Sequence, residues 1–473
     1  MPDNSDRDPA DRDPADQDPS DSGAEDELRD MLRDFLSGNS EIDPNKLASA
    51  AGLPNDPALV AQLMGKLQEA LQSSGDGINW DLATEQAKAV AGRDRQPSLP
   101  AERSALEQAF HIAALWLDEA TFISELSVSP RLISRTEWVT ATMPIWTQMA
   151  EPVASSIADA LTRVLHEQSP EDMSDMIAGA SRLMRNVGGT LFAMQLGQVV
   201  GQLSTEVVSG GDVGIPLLGA EDDSSEQAAI IPQNVAAFGA GLDIELDQIR
   251  LYLAVRELSH ARLFRHARWL RLQLLTSITE ISRGITVNTE RLEELAESFD
   301  PSNPESLQRA VSAGELLAPK NESQLAALAR LETTLALIEG WVDVVTAEAT
   351  KRLPKSGAIA ETVRRRRASG GPAESAFSTL VGLELRPRRL REAAAMWQKL
   401  TDAVGAERRD ALWSHPDLIP TSEDLDDPAA LIARVTNPEP EFDDVDQAIE
   451  DLLNDENRDR PTEDGDPDEK RER

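Results

Sequence analysis

The sequence predicts a mainly α-helical protein with few short strands and acidic, disordered tails. Three observations predict it. Apolar residues recur at three- and four-residue spacing along most of the 473 residues, alternating β-branched runs between turn signals are scarce, and both ends are too charged to pack. The length suggests two or three domains. The absence of cysteine removes disulfides and thiolate metal sites and fits a reducing compartment.

Taken in order, residues 1–25 form a disordered acidic arm. Within it, positions 6–20 repeat Asp-Arg-Asp-Pro-Ala, Asp-Arg-Asp-Pro-Ala, Asp-Gln-Asp-Pro-Ser, and a proline every fifth residue among like charges forbids a core. A small helical region over 26–92 follows, with periodic segments near 26–37 and 57–73. The Pro/Arg-rich stretch 93–101 serves as a linker. The main helical domain runs over 100–430, with helices expected near 105–126, 145–167, 171–184, 190–208, 245–279, 322–351 and 388–404. The strand candidates are 213–218 and 229–232. Residues 209–229, with Gly210, Gly211, Gly214 and an acidic run, read as a long loop. The tail 437–473 is again disordered and acidic, with an apolar island at Ile449, Leu452 and Leu453 that suits a transient helix or a docking peptide.

Net charge is −38, of which residues 1–27 (eleven acids, two bases) and 437–473 (sixteen acids, five bases) carry −20. Such a surface repels phosphate backbones and anionic lipid, so no nucleic-acid or membrane partner is expected. The N-terminus has no apolar core of a secretory signal and no apolar run reaches eighteen residues, so a cytoplasmic location is expected.

Two glycine features read as packing or turns. Gly197 and Gly201, spaced four apart, mark a close helix crossing. Gly188-Gly189 lacks the strand and further glycines of a phosphate loop. The basic run Arg364–Arg367 sits at a helix end, where it favours the dipole and pairs with local acids; a contact to phosphate or an acidic peptide is the alternative.

One constellation could do chemistry. Residues 256–260 read Arg-Glu-Leu-Ser-His, a zinc-peptidase His-Glu-x-x-His helix with the first letter changed. Positions four apart share a helix face. Two imidazoles there grip one zinc ion, and the intervening glutamate polarises a metal-bound water. Glu257 and His260 stand in the right order, but Arg256 has no lone pair to give a metal. Downstream, Glu339 and Asp343 lie in an apolar helix; Glu339 could be a third ligand and Asp343 could steady a histidine. Glu339 requires a partner, either a metal or Arg256, because an unpaired carboxylate in such a helix is costly. His266 matches the spacing of a third histidine ligand, yet on a continuous helix it diverges from His260 by about 120°, which suits a surface or capping histidine. His111, His166 and His415 show no ligand spacing.

The longer text carries a resemblance. IPQNVAAFGAGLDIELDQIRLYLAVRELSHARLFRHARWLR, LALIEGWVDVV, VRRRRASGGPAESAF, LVGLELRPRRLREAAAMW and GAERRDALWSHPDLIPTSEDLDDP together resemble the actinobacterial zincin-like metallopeptidase family, type 2, over about residues 100–430. The resemblance implies a multi-helix zincin-like domain and zinc-dependent hydrolysis of peptide bonds. Glu257 would be the general base, with His260 and Glu339 as zinc ligands. One branch of the family bears the complete motif; this chain resembles the branch in which the first histidine is replaced. Two hypotheses stand. In one the chain is a zinc metallopeptidase. In the other it is an inactive descendant that binds a peptide or protein partner through a cleft remodelled by Arg256, paired with Glu339 or Glu257.

Overall fold

The 3.6-residue pattern resolves into twelve α-helices, a 3-10 turn and one pair of two-residue strands among the described residues. The structure is a computed structural model and describes residues 78–167, 174–219, 228–286, 318–368 and 389–437. The acidic arm, the helices expected at 26–37 and 57–73, and the tail island lie outside the described residues.

In chain order the helices are α1 (Trp80–Ala91), α2 (Pro100–Leu117), α3 (Arg135–Glu167), α4 (Ser174–Ser204), α5 (Pro232–Gly239) and α6 (Leu246–His266), then α7 (Trp269–Arg283), α8 (Glu322–Ala349), α9 (Ser356–Ala368), α10 (Leu390–Ala411), α11 (Ser422–Asp426) and α12 (Pro428–Thr436). The strands β1 (Arg131–Leu132) and β2 (Ala229–Ile230) pair in parallel, Arg131 with Ala229 and Leu132 with Ile230. Residues 213–218 form no strand; they run as turns and bends, with Gly214 N–H donating to Gly211 O at 2.9 Å and Leu217 N–H to Ile215 O at 2.8 Å, and Arg271 donating to the Pro216 and Leu218 carbonyls at 3.1 and 2.7 Å. The helix expected over 245–279 is two, because the chain leaves helical geometry at Ala267 (φ −97°, ψ 66°) before α7 starts. No helix among the described residues is long and apolar enough to cross a membrane.

The chain divides into two units, one of residues 1–78, 164–191 and 287–317, the other of 79–163, 192–286 and 318–473. In the first, Val164–Glu167 and Ser174–Leu191 are described as helical backbone. Everything below concerns the second. Its core is a layered helix pack. α6 lies against α2 and α8, α8 also against α7 and α10, and α10 against α12. Trp341, Trp397 and Trp413 are fully buried at the centre, and Trp269 joins them from the edge. Their indole N–H groups are partly satisfied: Trp341 donates to Asp410 at 2.9 Å and Trp397 to the Leu337 carbonyl at 2.9 Å. Asp410 also accepts from Thr121 Oγ1 at 2.7 Å and the Phe122 amide at 2.8 Å, which ties α10 to the chain after α2.

Close approach explains the glycine pair of α4. A Cβ on Gly197 would sit 2.4 Å from the Ala83 carbonyl oxygen, and one on Gly201 would sit 2.6 Å from Val90 Cβ, so α1 and α4 cross backbone to backbone. Gly197→Val therefore drives these helices apart. It is expected to cost about 1–3 kcal/mol, read as a lower urea midpoint in equilibrium unfolding; an unchanged midpoint would mean that the crossing is looser than described.

Candidate functional site

Helix α6 is buried on every side from Tyr252 to Leu263, an arrangement of a central helix, and yet it carries Arg256, Glu257, His260 and Arg262 in that stretch. Each must find a partner, since an unpaired buried charge is expensive. Arg262 is held at the C-terminal end of α2, donating to Asp118 Oδ1 at 2.8 Å and to the Ala114 carbonyl at 3.2 Å. The other three face two different places.

Arg256 and His260, one turn apart, face α8 and meet Glu339. Arg256 Nη2 donates to Glu339 Oε2 at 2.5 Å, and His260 Nε2 lies 3.0 Å from Glu339 Oε1. A third cation arrives from α9: Arg367 Nη1 is 2.9 Å from the same Oε1, and its Nη2 donates to the Asp212 carbonyl. Both oxygens of a 1 %-exposed carboxylate are thereby occupied. Burial opposes ionisation of Glu339, but Arg367, Arg256 and His260 together hold its carboxyl far below the usual range. Burial also drives the His260 pKa down against the pull of Glu339, so the ring is neutral. Nδ1 lies 3.1 Å from the Arg256 carbonyl, an acceptor like the carboxylate. The single proton goes to Nε2, where the partner is ionised and the hydrogen bond stronger.

Asp343, one turn beyond Glu339, is not beside a histidine. It binds Arg364 of α9, with Nη2 at 3.0 Å and Nε at 3.2 Å. Helices α8 and α9 are thus joined by two rungs, Asp343–Arg364 and Glu339–Arg367. His266 is exposed at the last residue of α6, away from the Glu339 cluster.

Glu257 points elsewhere. Its carboxylate accepts from the Gly211 amide at 2.8 Å, from the Ala229 amide at 2.8 Å, and from the Ser209 side chain. Burial pushes its pKa from 4.5 up to about 7 against those three hydrogen bonds. It forms part of the wall of a cavity of about 300 Å³ that Gly211, Leu218, Ala261 and Phe264 also line. The loop 209–214 reaches this position because Gly211 and Gly214 lack side chains: a Cβ on Gly211 would fall 2.6 Å from His260 Cβ, and one on Gly214 (φ 79°) 2.6 Å from Glu339 Oε1.

Sequence reasoning brought together Arg256, His260 and Glu339, and the structure joins them. It assigned Arg367 to a helix-end basic cluster and did not pair it with Glu339. A signal was present: Arg364 and Arg367 are spaced three apart on α9, as Glu339 and Asp343 are four apart on α8, so two acids and two bases can face each other as rungs. The amides and hydroxyl that bind Glu257 carry no side-chain pattern that spacing could reveal, apart from the glycines.

A family model described as zincin-like metallopeptidase matches residues 78–432. The chain belongs to the zincin-like metallopeptidase family. Among solved structures, a protein of Chloroflexus aurantiacus described as a "putative hydrolase with a novel fold" is similar at 18 % identity and a TM-score of 0.51, covering 76 % of this chain and 99 % of that one. At that identity the likeness speaks for the fold. No curated protein matches the chain.

Zinc is the metal that such a family implies, and the residues here do not fit it. A catalytic zinc takes three protein donors with free lone pairs. Position 256 offers a guanidinium, and both oxygens of Glu339 are engaged, Oε2 by Arg256 and Oε1 by Arg367 and His260. Among the described residues no group of three His, Cys, Asp or Glu side chains is arranged to hold a metal.

The raised Glu257 pKa gives a pH signature. A carboxyl whose folded pKa lies above its unfolded value contributes stability that is full below about 4.5 and is lost as pH rises through about 7. Glu257→Gln lacks that titration. Relative to the parent it should become progressively more stable between pH 5 and pH 7.5, whatever its constant offset, as measured by urea midpoints at each pH. Parallel midpoints across that window would place the Glu257 pKa at an ordinary value.

Proposed function

We propose that this chain is a peptide- or protein-binding member of the zincin-like metallopeptidase family, in which an internal ion-pair knot stands where zinc would be. The observation that carries this reading is the state of Glu339: Arg256, Arg367 and His260 use both its oxygens. The family supplies the ligand class, a peptide segment. The cavity beside Glu257 supplies a receptor for it, since about 300 Å³ is the small end of the range of ligand pockets. Leu218, Ala261 and Phe264 give it an apolar lining suited to an apolar side chain, and Glu257, Arg265, Arg268 and Arg271 line the rest of the wall with ionisable groups for the flanking polar atoms of a peptide.

A second reading is favoured by one observation, the Glu257 carboxyl at about 7 on a cavity wall. A group poised near neutrality can take a proton from an attacking water and return it to the departing amine, which is general acid–base hydrolysis. That reading requires Glu257 to exchange one of its amide partners for the water.

One set of measurements separates the readings. With the full chain and unfolded casein, the proposal expects saturable binding by fluorescence anisotropy without cleavage, with zinc or with chelator. Ala261→Phe, which fills the cavity, should weaken binding at least about tenfold, or about 1.4 kcal/mol. Chelator-insensitive cleavage that Glu257→Gln abolishes would favour the second reading. Cleavage stopped by chelator and restored by zinc would overturn the proposal.

A further inference from the structure

The zinc centre is missing two determinants here, and the sequence advertises only one. The exchange of histidine for Arg256 removes a ligand. Arg367 does something different: it places a positive charge on the oxygen that His260 also faces. Its Nη1 lies 2.9 Å from Glu339 Oε1, and His260 Nε2 lies 3.0 Å from that same atom. A divalent cation shared by His260 and Glu339 would have to sit beside that guanidinium, and like charges a few ångströms apart in a dry site repel strongly.

We infer that Arg256 and Arg367 together replace the metal: two guanidiniums supply the double positive charge of a divalent cation, and either one alone keeps such an ion out. Arg367 is not free to withdraw. Its Nη2 holds the Asp212 carbonyl, and Arg364 on the same helix is clamped to Asp343 at 3.0 Å, which keeps α9 in register with α8. The side chain is 14 % exposed, and its Nε has no hydrogen-bond partner among the described residues, as is also true of Arg256 Nε. Both guanidiniums therefore tolerate an unmet donor to reach one carboxylate, which marks Glu339 as the group they serve. Restoring the ligand alone leaves the second cation in place.

This inference rests on the reading that the parent chain takes up no zinc, and the test keeps the two apart. Zinc is titrated into the chelator-stripped full chain against a chromophoric chelator, for the parent, Arg256→His, Arg367→Met and the double variant. The double variant should bind one equivalent, lost on His260→Ala, and at least about 100-fold more tightly than Arg256→His, the upper end of what groups beside the ligands contribute to metal affinity. Arg367→Met should bind none. Equal affinity of Arg256→His and the double variant would overturn the role given to Arg367, and so would a folded double variant that takes up no zinc. Stoichiometric uptake by the parent, lost on His260→Ala, would instead overturn the underlying reading. Should the double variant not fold, the role of Arg367 is read from thermal unfolding. Arg367→Met should lower the melting temperature by about 5–10 °C with Glu339 present and by far less in the Glu339→Gln background. Equal losses in both backgrounds would overturn the pairing.

Discussion

A carboxylate with almost no contact to water governs this centre. Glu339 sits mid-way along α8 among Leu337, Ile338, Trp341 and Val342, all fully buried. A bare negative charge there is untenable, and the rest of the arrangement follows from supplying it with positive charge and donors. Arg256 and His260 come from α6, Arg367 from α9, and the loop after α4 brings the Asp212 carbonyl to steady Arg367. Three separate stretches of chain converge on one side chain of a fourth. The knot is worth little as net stability, because desolvating two guanidiniums offsets much of their attraction to the carboxylate, but removal of one member leaves the others uncompensated. Its effect is to fix the relative positions of α6, α8 and α9.

Helix α6 then works as a partition. Positions 256 and 260 lie one turn apart and face Glu339, whereas positions 257, 261 and 264 continue a neighbouring face, about 100° round the helix, toward the cavity. In a zinc hydrolase the glutamate of the motif and the two imidazoles act on one metal-bound water. Here Glu257 is drawn to the amides of Gly211 and Ala229, and β2 and the glycine loop are thereby attached to the helix. Arg256, His260 and Glu257 thus serve two places, an ion-pair knot on one face and a loop anchor at a cavity wall on the other.

How much of this the sequence discloses depends on the range of each interaction. Helix periodicity is local, so the N-terminal ends of α8 and α10 and the C-terminal end of α3 are legible to about two residues, and the glycine spacing of α4 pointed to a close helix crossing without naming its partner. The break at Ala267 was not legible, because Leu263, Ala267 and Leu270 keep an unbroken apolar spacing through it. The strand expected at 213–218 illustrates the converse. Its Val213, Ile215, Leu217 and Leu218 alternate well enough, but the segment is buried as a turn, and Gly214 at positive φ is incompatible with a ladder. At the site, Arg256, His260 and Glu339 were joined by motif logic and the cost of a buried acid. Arg367 was not, since a run of four arginines at a helix end reads as a solvated cluster, and only the three-dimensional approach of α9 turns one of them inward.

That inward turn completes the set of partners on Glu339. Arg256 alone would give it a single guanidinium on Oε2, with only the His260 ring on Oε1. A carboxylate accepts about four hydrogen bonds, and on one that is 1 % exposed an unfilled oxygen is the costly one. Arg367 fills it, and Gly214 leaves just enough room beside it, for a Cβ there would touch Glu339 Oε1 at 2.6 Å and Arg367 Nη1 at 3.2 Å. The loop glycine, the α9 arginine and the motif arginine are therefore one solution to one problem, the charge on Glu339. A substitution at any of them has to be judged by what it leaves on that carboxylate rather than by its own contacts.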